Sequence, residues 1–258
     1  MKLEDYQSRF STTAVSRDED GVLTIRLHSK GDSLWWGARP HRELPELFSA
    51  VGSDRDNRVV LITGTGTNFV EIPDVESVDD LPRGRTTATA WEQIAFEGNR
   101  LIAELLAIDV PMIAAVNGPV TVHSELAVLC DIVLCTPDTF FQDAAHFPRG
   151  LVPGDGMQIV WPMLLGPNRG RQFLLTGAKL PAQEAERLGV VGEIVEAERL
   201  LERAYALAKD LAKVNPVVLR NTRRALVRPI KRAVAHDLEL GLSLEAIGSL
   251  SAKEWFGD

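Results

Sequence analysis

Only two cysteines, Cys130 and Cys135, occur in 258 residues, both within the apolar text "AVLCDIVLCTPD". With no CxxC and no histidine at ligand spacing, they suit neither a disulfide framework nor a zinc site and are expected to be core thiols in a reducing compartment. Nowhere do about 18 uncharged apolar residues follow one another, and "MKLEDYQSRFSTTAVSRDEDG" lacks the apolar run of a signal peptide; the expectation is a cytoplasmic protein with no membrane partner. A surplus of positive charge is also missing. The net charge of −8 disfavours nucleic acid, whose phosphates are held by clustered cations. "LRNTRRALVRPIKRAVAHD" is locally basic but has no aromatic platforms, so a solvated helix face or a subunit contact is expected there. "GTGTNF" has neither GxGxxG nor a following lysine and is expected to be a turn, with no phosphate-bound cofactor.

Apolar, β-branched runs bounded by turn residues predict strands at 21–29, 59–66, 111–120, 131–138 and 191–196. Between them, "AWEQIAFEGNRLIAELLAIDV" sets Ile94, Ala95, Gly98, Leu101, Ile102, Leu105 and Leu106 at three- and four-residue steps, the mark of an amphipathic helix. Alternating strands and helices predict an α/β fold. After about residue 197 the strand signals stop and three helical segments follow, giving a core over 1–196 and a helical region over 197–258. "EIPDVESVDDLPRGRTTATA" (71–90) is acidic, aperiodic and proline-bearing, hence a long loop, suited to a lid or binding loop, with disorder as the competing reading.

Chemistry concentrates in "FQDAAHFPRGLVPGDG" (141–156), where nine positions separate His146 from Asp155. Proline and glycine between them supply the reversals needed to bring the two together. Taken alone, Asp155 is also a good N-cap for a helix starting at "GMQIV". His146 alone suits a hydrogen-bonded buried histidine, and His28, His41 and His236 have no partner pattern and are expected on the surface or in packing. One of Trp35 and Trp36 is expected in the core, and Glu245, in an amphipathic tail helix, suits a solvent-facing position.

"VVLITGTGTNF", "AAVNGPVTVHSELAVLCDI", "GLVPGDG", "LLTGAKLPAQEAERLGVVGEIV" and the helical tail follow one another over nearly the whole chain in the order seen in the crotonase (enoyl-CoA hydratase/isomerase) superfamily, which this sequence resembles. The resemblance implies a crotonase-like spiral of ββα turns with a C-terminal helical oligomerisation region, and a homo-trimer or dimer of trimers. Thioester-handling members of that family hold a carbonyl oxygen with two backbone N–H groups. Here the first of those positions is Pro73, which has no N–H, and the second turn, "NGPVTVHSE", carries His123 where glycine is expected. Glu125 sits where a hydratase has one of its two glutamates, and His146 replaces the other; Glu125 then suits a structural place at a helix start.

These exchanges, with "SLWWGARPHREL", "GPNRGRQFLLTG" and "DLELGLSLEA", resemble the β-diketone hydrolase branch of the superfamily. That resemblance implies a catalytic pair of His146 and Asp155, with His123, Trp36 and Glu245 completing a pocket for a small-molecule diketone, and requires neither metal nor organic cofactor. Its chemistry is hydrolysis of a carbon–carbon bond. An imidazole with a carboxylate on its far nitrogen activates water, while His123 and the Trp36 indole N–H meet the developing oxyanion and enolate. A thioester hydratase or isomerase with an altered site, and a non-catalytic binding protein of the same fold, are the alternatives; the joint presence of His123, His146 and Asp155 speaks against simple loss of machinery.

Overall fold

The structure is a computed structural model that describes residues 1–71 and 87–256. Pro73 and residues 72–86 of the loop expected over 71–90 lie outside the described residues, while 88–90, expected to be loop, form the first turn of α2. After β1 (Thr13–Arg17) the chain winds through four similar turns: β2 (Val22–Leu27), β3 (Leu34–Trp35) and α1 (Ala38–Ser53); then β4 (Val59–Thr63), β5 (Val70–Glu71) and α2 (Ala88–Ala107). The third turn has β6 (Met112–Val116), a single bridging residue, Val120, and α3 (Glu125–Val128). The fourth has β7 (Ile132–Cys135), β8 (Phe140–Phe141) and α4 (Met157–Leu165). Beyond it lie α5 (Pro167–Thr176), β9 (Leu180–Pro181), α6 (Ala182–Arg187), β10 (Glu193–Ile194), and three helices, α7 (Ala197–Ala212), α8 (Pro216–Leu226) and α9 (Arg228–Phe256). This is the expected spiral of ββα turns with a helical C-terminal region.

The main sheet runs β1-β2-β4-β6-β7-β10, antiparallel at β1/β2 and parallel elsewhere. The short strands stack into a second layer: β3 pairs with β5, Val70 bridges Val120, Val120 bridges Phe141, and β8 pairs with β9. β4 and β6 are buried along their whole length because both faces are covered. On one face Val60 and Ile62 join the large core with α1 and α2; on the other, Val59, Leu61, Ile113 and Ala115 meet Leu200, Ala204, Ala208 and Ala212 of α7. Alanine every fourth residue lets α7 lie close to the sheet.

Two arginines of the basic stretch depart from the expected solvated face, while Arg224, Arg228 and Arg232 are exposed. Arg220 of α8 is buried against the Asp109 carboxylate and the carbonyls of Arg55 and Asn57, and Arg223 binds Asp131 and the Ile108 carbonyl. Asp109 also takes Arg55 and Arg224. Paired on carboxylates in this way, guanidinium groups are affordable inside, and they clamp α8 to the spiral.

α9 then crosses back over α2 and α4, leaving Leu240, Leu244, Ile247 and Leu250 exposed on its outer side. Its approach to the loop before α4 depends on two glycines. A Cβ on Gly154 would stand 2.1 Å from the Gly241 carbonyl oxygen, and one on Gly241 2.3 Å from that of Gly154. Only paired glycines allow this backbone contact.

Candidate active site

His146 leaves the second layer just after β8 and opens a 3-10 turn, Phe147–Arg149, that Gly150 closes in the left-handed region. The amides of Arg149 and Leu151 both bond back to the His146 carbonyl, at 2.8 and 3.0 Å. The loop therefore doubles back, and Asp155 arrives beside His146 at the head of α4. Its Oδ2 lies 3.4 Å from His146 Nε2. The same oxygen lies 3.5 Å from Nε2 of His123.

His123 occupies the turn before α3 at φ 45°, a left-handed conformation that L side chains rarely adopt. That turn is where the family resemblance led to an expected glycine. The strain is held by what surrounds the ring: Nδ1 meets Glu125 Oε1 at 2.5 Å, and the imidazole stacks on the Trp36 indole with centroids 3.6 Å apart. Glu125 is wholly buried, its carboxylate committed to His123.

The other nitrogen of His146 differs from expectation. Nδ1 lies 2.7 Å from Oδ1 of Asp143, a wholly buried carboxylate three residues back, so Asp143 orients the ring and Asp155 stands at its opposite nitrogen. The result is an alternating chain, Asp143, His146, Asp155, His123, Glu125, in which each imidazole lies between two carboxylates. Glu245 reaches the chain from α9, with Oε1 3.5 Å from His146 Nε2. All five residues singled out in the sequence, His146, Asp155, His123, Trp36 and Glu245, are thus gathered in one place.

Burial alone would lower the pKa of both histidines, but the surrounding carboxylates outweigh it. His146 is raised well above 6.5, chiefly by Asp155 with Asp143 and Glu245, and His123 is raised by Glu125 and Asp155. Burial works against Asp155 too, yet the two imidazoles, aided by the Met157 amide at the start of α4, hold it below the usual carboxylate range. The N-cap position expected for Asp155 is instead held by Gly156, and Asp155 Oδ1 accepts no hydrogen bond among the described residues, so the carboxylate is turned to the two imidazoles. Glu125 and Glu245 go the other way: desolvation raises both. One oxygen each of Glu125, Asp143, Asp155 and Glu245 is buried without a protein hydrogen-bond partner among the described residues, an unusual concentration in a folded interior.

Sequence reasoning missed a second tier. His41, expected to be an ordinary surface or packing residue, is buried with its ring edge-on to Trp36 and 6.2 Å from that of His123. Its Nδ1 meets Glu97 Oε2 at 2.9 Å, and Glu97 also accepts from Gln93 and Arg42. Burial opposes ionisation of Glu97, but these donors prevail and bring its pKa down to about 2. No local spacing links positions 41 and 97; Asp143, by contrast, was visible as the first residue of "DAAH". Trp35, the other indole, donates to Glu71 at 2.8 Å, away from the chain of acids and imidazoles.

Donor atoms of His123, Glu125 and Asp155 fall within 4.8 Å of one another, a set that a metal ion can use. The 2.5 Å contact of His123 with Glu125 is that of a hydrogen bond, however, since two ligands on one ion stand about 3 Å or more apart when each bond is about 2 Å long. As it stands, the arrangement can accept, hold and return protons, and can offer N–H donors to a bound oxygen.

The family model for enoyl-CoA hydratase/isomerase matches residues 17–247. Probable enoyl-CoA hydratases of Mycobacterium bovis and Mycobacterium tuberculosis are each 31% identical over 255 residues, covering 95% of this chain and 86% of theirs. Among solved structures, a β-diketone hydrolase from the cyanobacterium Anabaena sp. PCC 7120, bound to (S)-3-oxocyclohexyl acetic acid, superposes with a TM-score of 0.92 at 41% identity, covering 96% of this chain and 98% of that one. An enoyl-CoA hydratase/isomerase from Mycobacterium paratuberculosis gives 0.83 at 25% identity, with 93% and 94% covered.

Proposed function

This chain belongs to the enoyl-CoA hydratase/isomerase (crotonase) family, and from that premise we propose that it is a β-diketone hydrolase, cleaving a carbon–carbon bond of cyclic or bicyclic 1,3-diketones to give keto acids. The observation that carries the reading is the pair of buried imidazoles meeting at one oxygen of Asp155, each fixed from behind by its own carboxylate. The similarity to the Anabaena β-diketone hydrolase supports it.

Water is a poor nucleophile at neutral pH and needs a base. With Nδ1–H donated to Asp143, neutral His146 presents Nε2 as that base, and Asp155 beside it stabilises the imidazolium once the proton has moved. Hydroxide adds to one carbonyl carbon, and the resulting oxyanion is met by His123 Nε2–H, whose ring is fixed through Nδ1 by Glu125. Trp36 backs that ring and offers its indole N–H as a second donor. The carbon–carbon bond then breaks. Its electron pair passes to the second ketone as an enolate, the first carbonyl becomes a carboxylic acid, and addition of one proton to carbon completes the uptake of one water. No step is routed through a metal or cofactor. In the same reading the chain works as a trimer or a pair of trimers, whose contacts would cover the apolar residues left exposed on α9.

The test is turnover of a panel of cyclic and bicyclic 1,3-diketones beside enoyl-CoA thioesters, with and without a chelator. Keto acid formation that the chelator leaves unchanged and that is lost in His146→Ala is the expected result. Hydration of an enoyl-CoA with no diketone cleavage would return the chain to the thioester chemistry for which its mycobacterial relatives are named.

A further inference from the structure

In the proposed cleavage His146 takes a proton from water while the α-carbon of the enolate needs one, and the Glu245 carboxyl, with Oε1 3.5 Å from His146 Nε2, can give its own proton to that carbon and recover one from the imidazolium. We infer that Glu245 is the acid that protonates this carbon, and that the chain therefore also exchanges an α-hydrogen of ketones bearing a carboxymethyl arm, the chemical class of its own product. The inference rests on the hydrolase reading.

Glu245 is 6% exposed, with Oε1 3.5 Å from His146 Nε2 and Oε2 buried with no protein partner among the described residues. A buried carboxylate oxygen left alone is costly; one that carries a proton and meets a ligand is not. Desolvation raises the pKa of this carboxyl, a shift that favours its protonated form. Its place is rigid. The Gly154–Gly241 contact seats α9 on the loop that carries Asp155, and a Cβ built on Gly154 would come within 2.9 Å of Glu245 Cβ.

The exchange follows from microscopic reversibility. The acid that places a proton on the enolate carbon becomes a carboxylate able to take one back from the product ketone. The C–H bond breaks, its electron pair forms the enolate, His123 N–H holds the enolate oxygen, and Glu245 holds the proton. In D2O the carboxyl trades that proton for a deuteron and returns it to carbon, so nothing is oxidised or reduced.

Two measurements on the intact chain decide the matter. The first follows (S)-3-oxocyclohexyl acetic acid in D2O by proton NMR; the second locates the deuterium placed during hydrolysis of a bicyclic 1,3-diketone in D2O. The parent is expected to wash out one α-hydrogen, at the same carbon and face that hydrolysis labels. Glu245→Gln should slow this by about 100-fold or more, the usual contribution of a positioned acid or base, while saturation-transfer NMR still detects the keto acid bound. If Glu245→Gln does not fold, Glu245→Asp, which withdraws the carboxyl by one methylene, is expected to slow exchange as well. Hydrolysis by the parent without exchange above the buffer rate, labelling of both faces, or parental exchange in the folded variant would each overturn the inference while leaving the hydrolase intact. Absence of both hydrolysis and exchange would remove the hydrolase reading as well.

Discussion

Replacing Asp143 by asparagine isolates what the buried carboxylate behind His146 does. Asparagine keeps the size and an oxygen able to accept from Nδ1, but the negative charge is gone. With Oδ1 2.7 Å from Nδ1, the two charge centres are about 4 Å apart, and at an effective dielectric of about 20 their attraction is about 4 kcal/mol. At 1.36 kcal/mol per pKa unit this is an upper bound of about 3 units, and a loss of about 1 to 3 units allows for relaxation of the site. The base must be neutral to act, and the folded-state pKa of His146 is raised above 6.5, so activity is lost as pH falls through that raised value. In the parent, kcat/KM should therefore rise with pH along an acid limb centred above pH 6.5. In Asp143→Asn the limb should move to lower pH by at least about 1 unit, and the plateau should fall because a less basic imidazole takes a proton from water less readily. A pH–rate profile from pH 5 to 10 reads both quantities, with circular dichroism to check folding. An acid limb that stays in place, or moves upward, would refute the role given to Asp143.

Glu97→Gln tests the second tier. The folded-state pKa of Glu97 is depressed, from 4.5 to about 2, so its contribution to stability is fully present above pH 4.5 and is lost as pH falls toward 2; the melting-temperature difference between parent and variant should be clear at pH 7 and should shrink across that window. Gly241→Ala would set its Cβ 2.0 Å from Gln158 Nε2 and 2.3 Å from the Gly154 carbonyl oxygen. Overpacking of this kind costs about 1–3 kcal/mol, read by urea unfolding, and diketone turnover should fall with it because α9 carries Glu245.

What the sequence revealed depended on how far a signal extended along the chain. Val59–Thr63, Met112–Val116 and Ile132–Cys135 are continuous apolar runs and were legible as strands. Leu34–Trp35, Val70–Glu71, Phe140–Phe141 and Leu180–Pro181 were not, since two residues have no period; their pairing exists only once the spiral closes. Thr13–Arg17 escaped because it alternates over only five positions. At the site, His146, Asp155, His123, Trp36 and Glu245 could be named, but the wiring could not. That Asp143, rather than Asp155, takes Nδ1 depends on the direction in which the ring leaves β8. The His41–Glu97 pair spans α1 and α2, and the charge of Glu97 was hidden inside a helix legible only for its apolar stripe.

The seating of α9 on Gly154 also sets an order of events during synthesis. Domains fold from the N-terminus as the chain emerges; Asp143, His146, His123 and Asp155 are made before residue 158, and the last strand of the main sheet, β10, by residue 194. Glu245 is made about ninety residues after Asp155. A nascent or truncated chain can thus hold a complete sheet and both imidazoles while its proton inventory is one carboxyl short and the glycine seam lies open to water. On the role proposed for Glu245, competence waits on the docking of α9, and a cut within that helix would silence the site from roughly ninety residues beyond Asp155 along the chain.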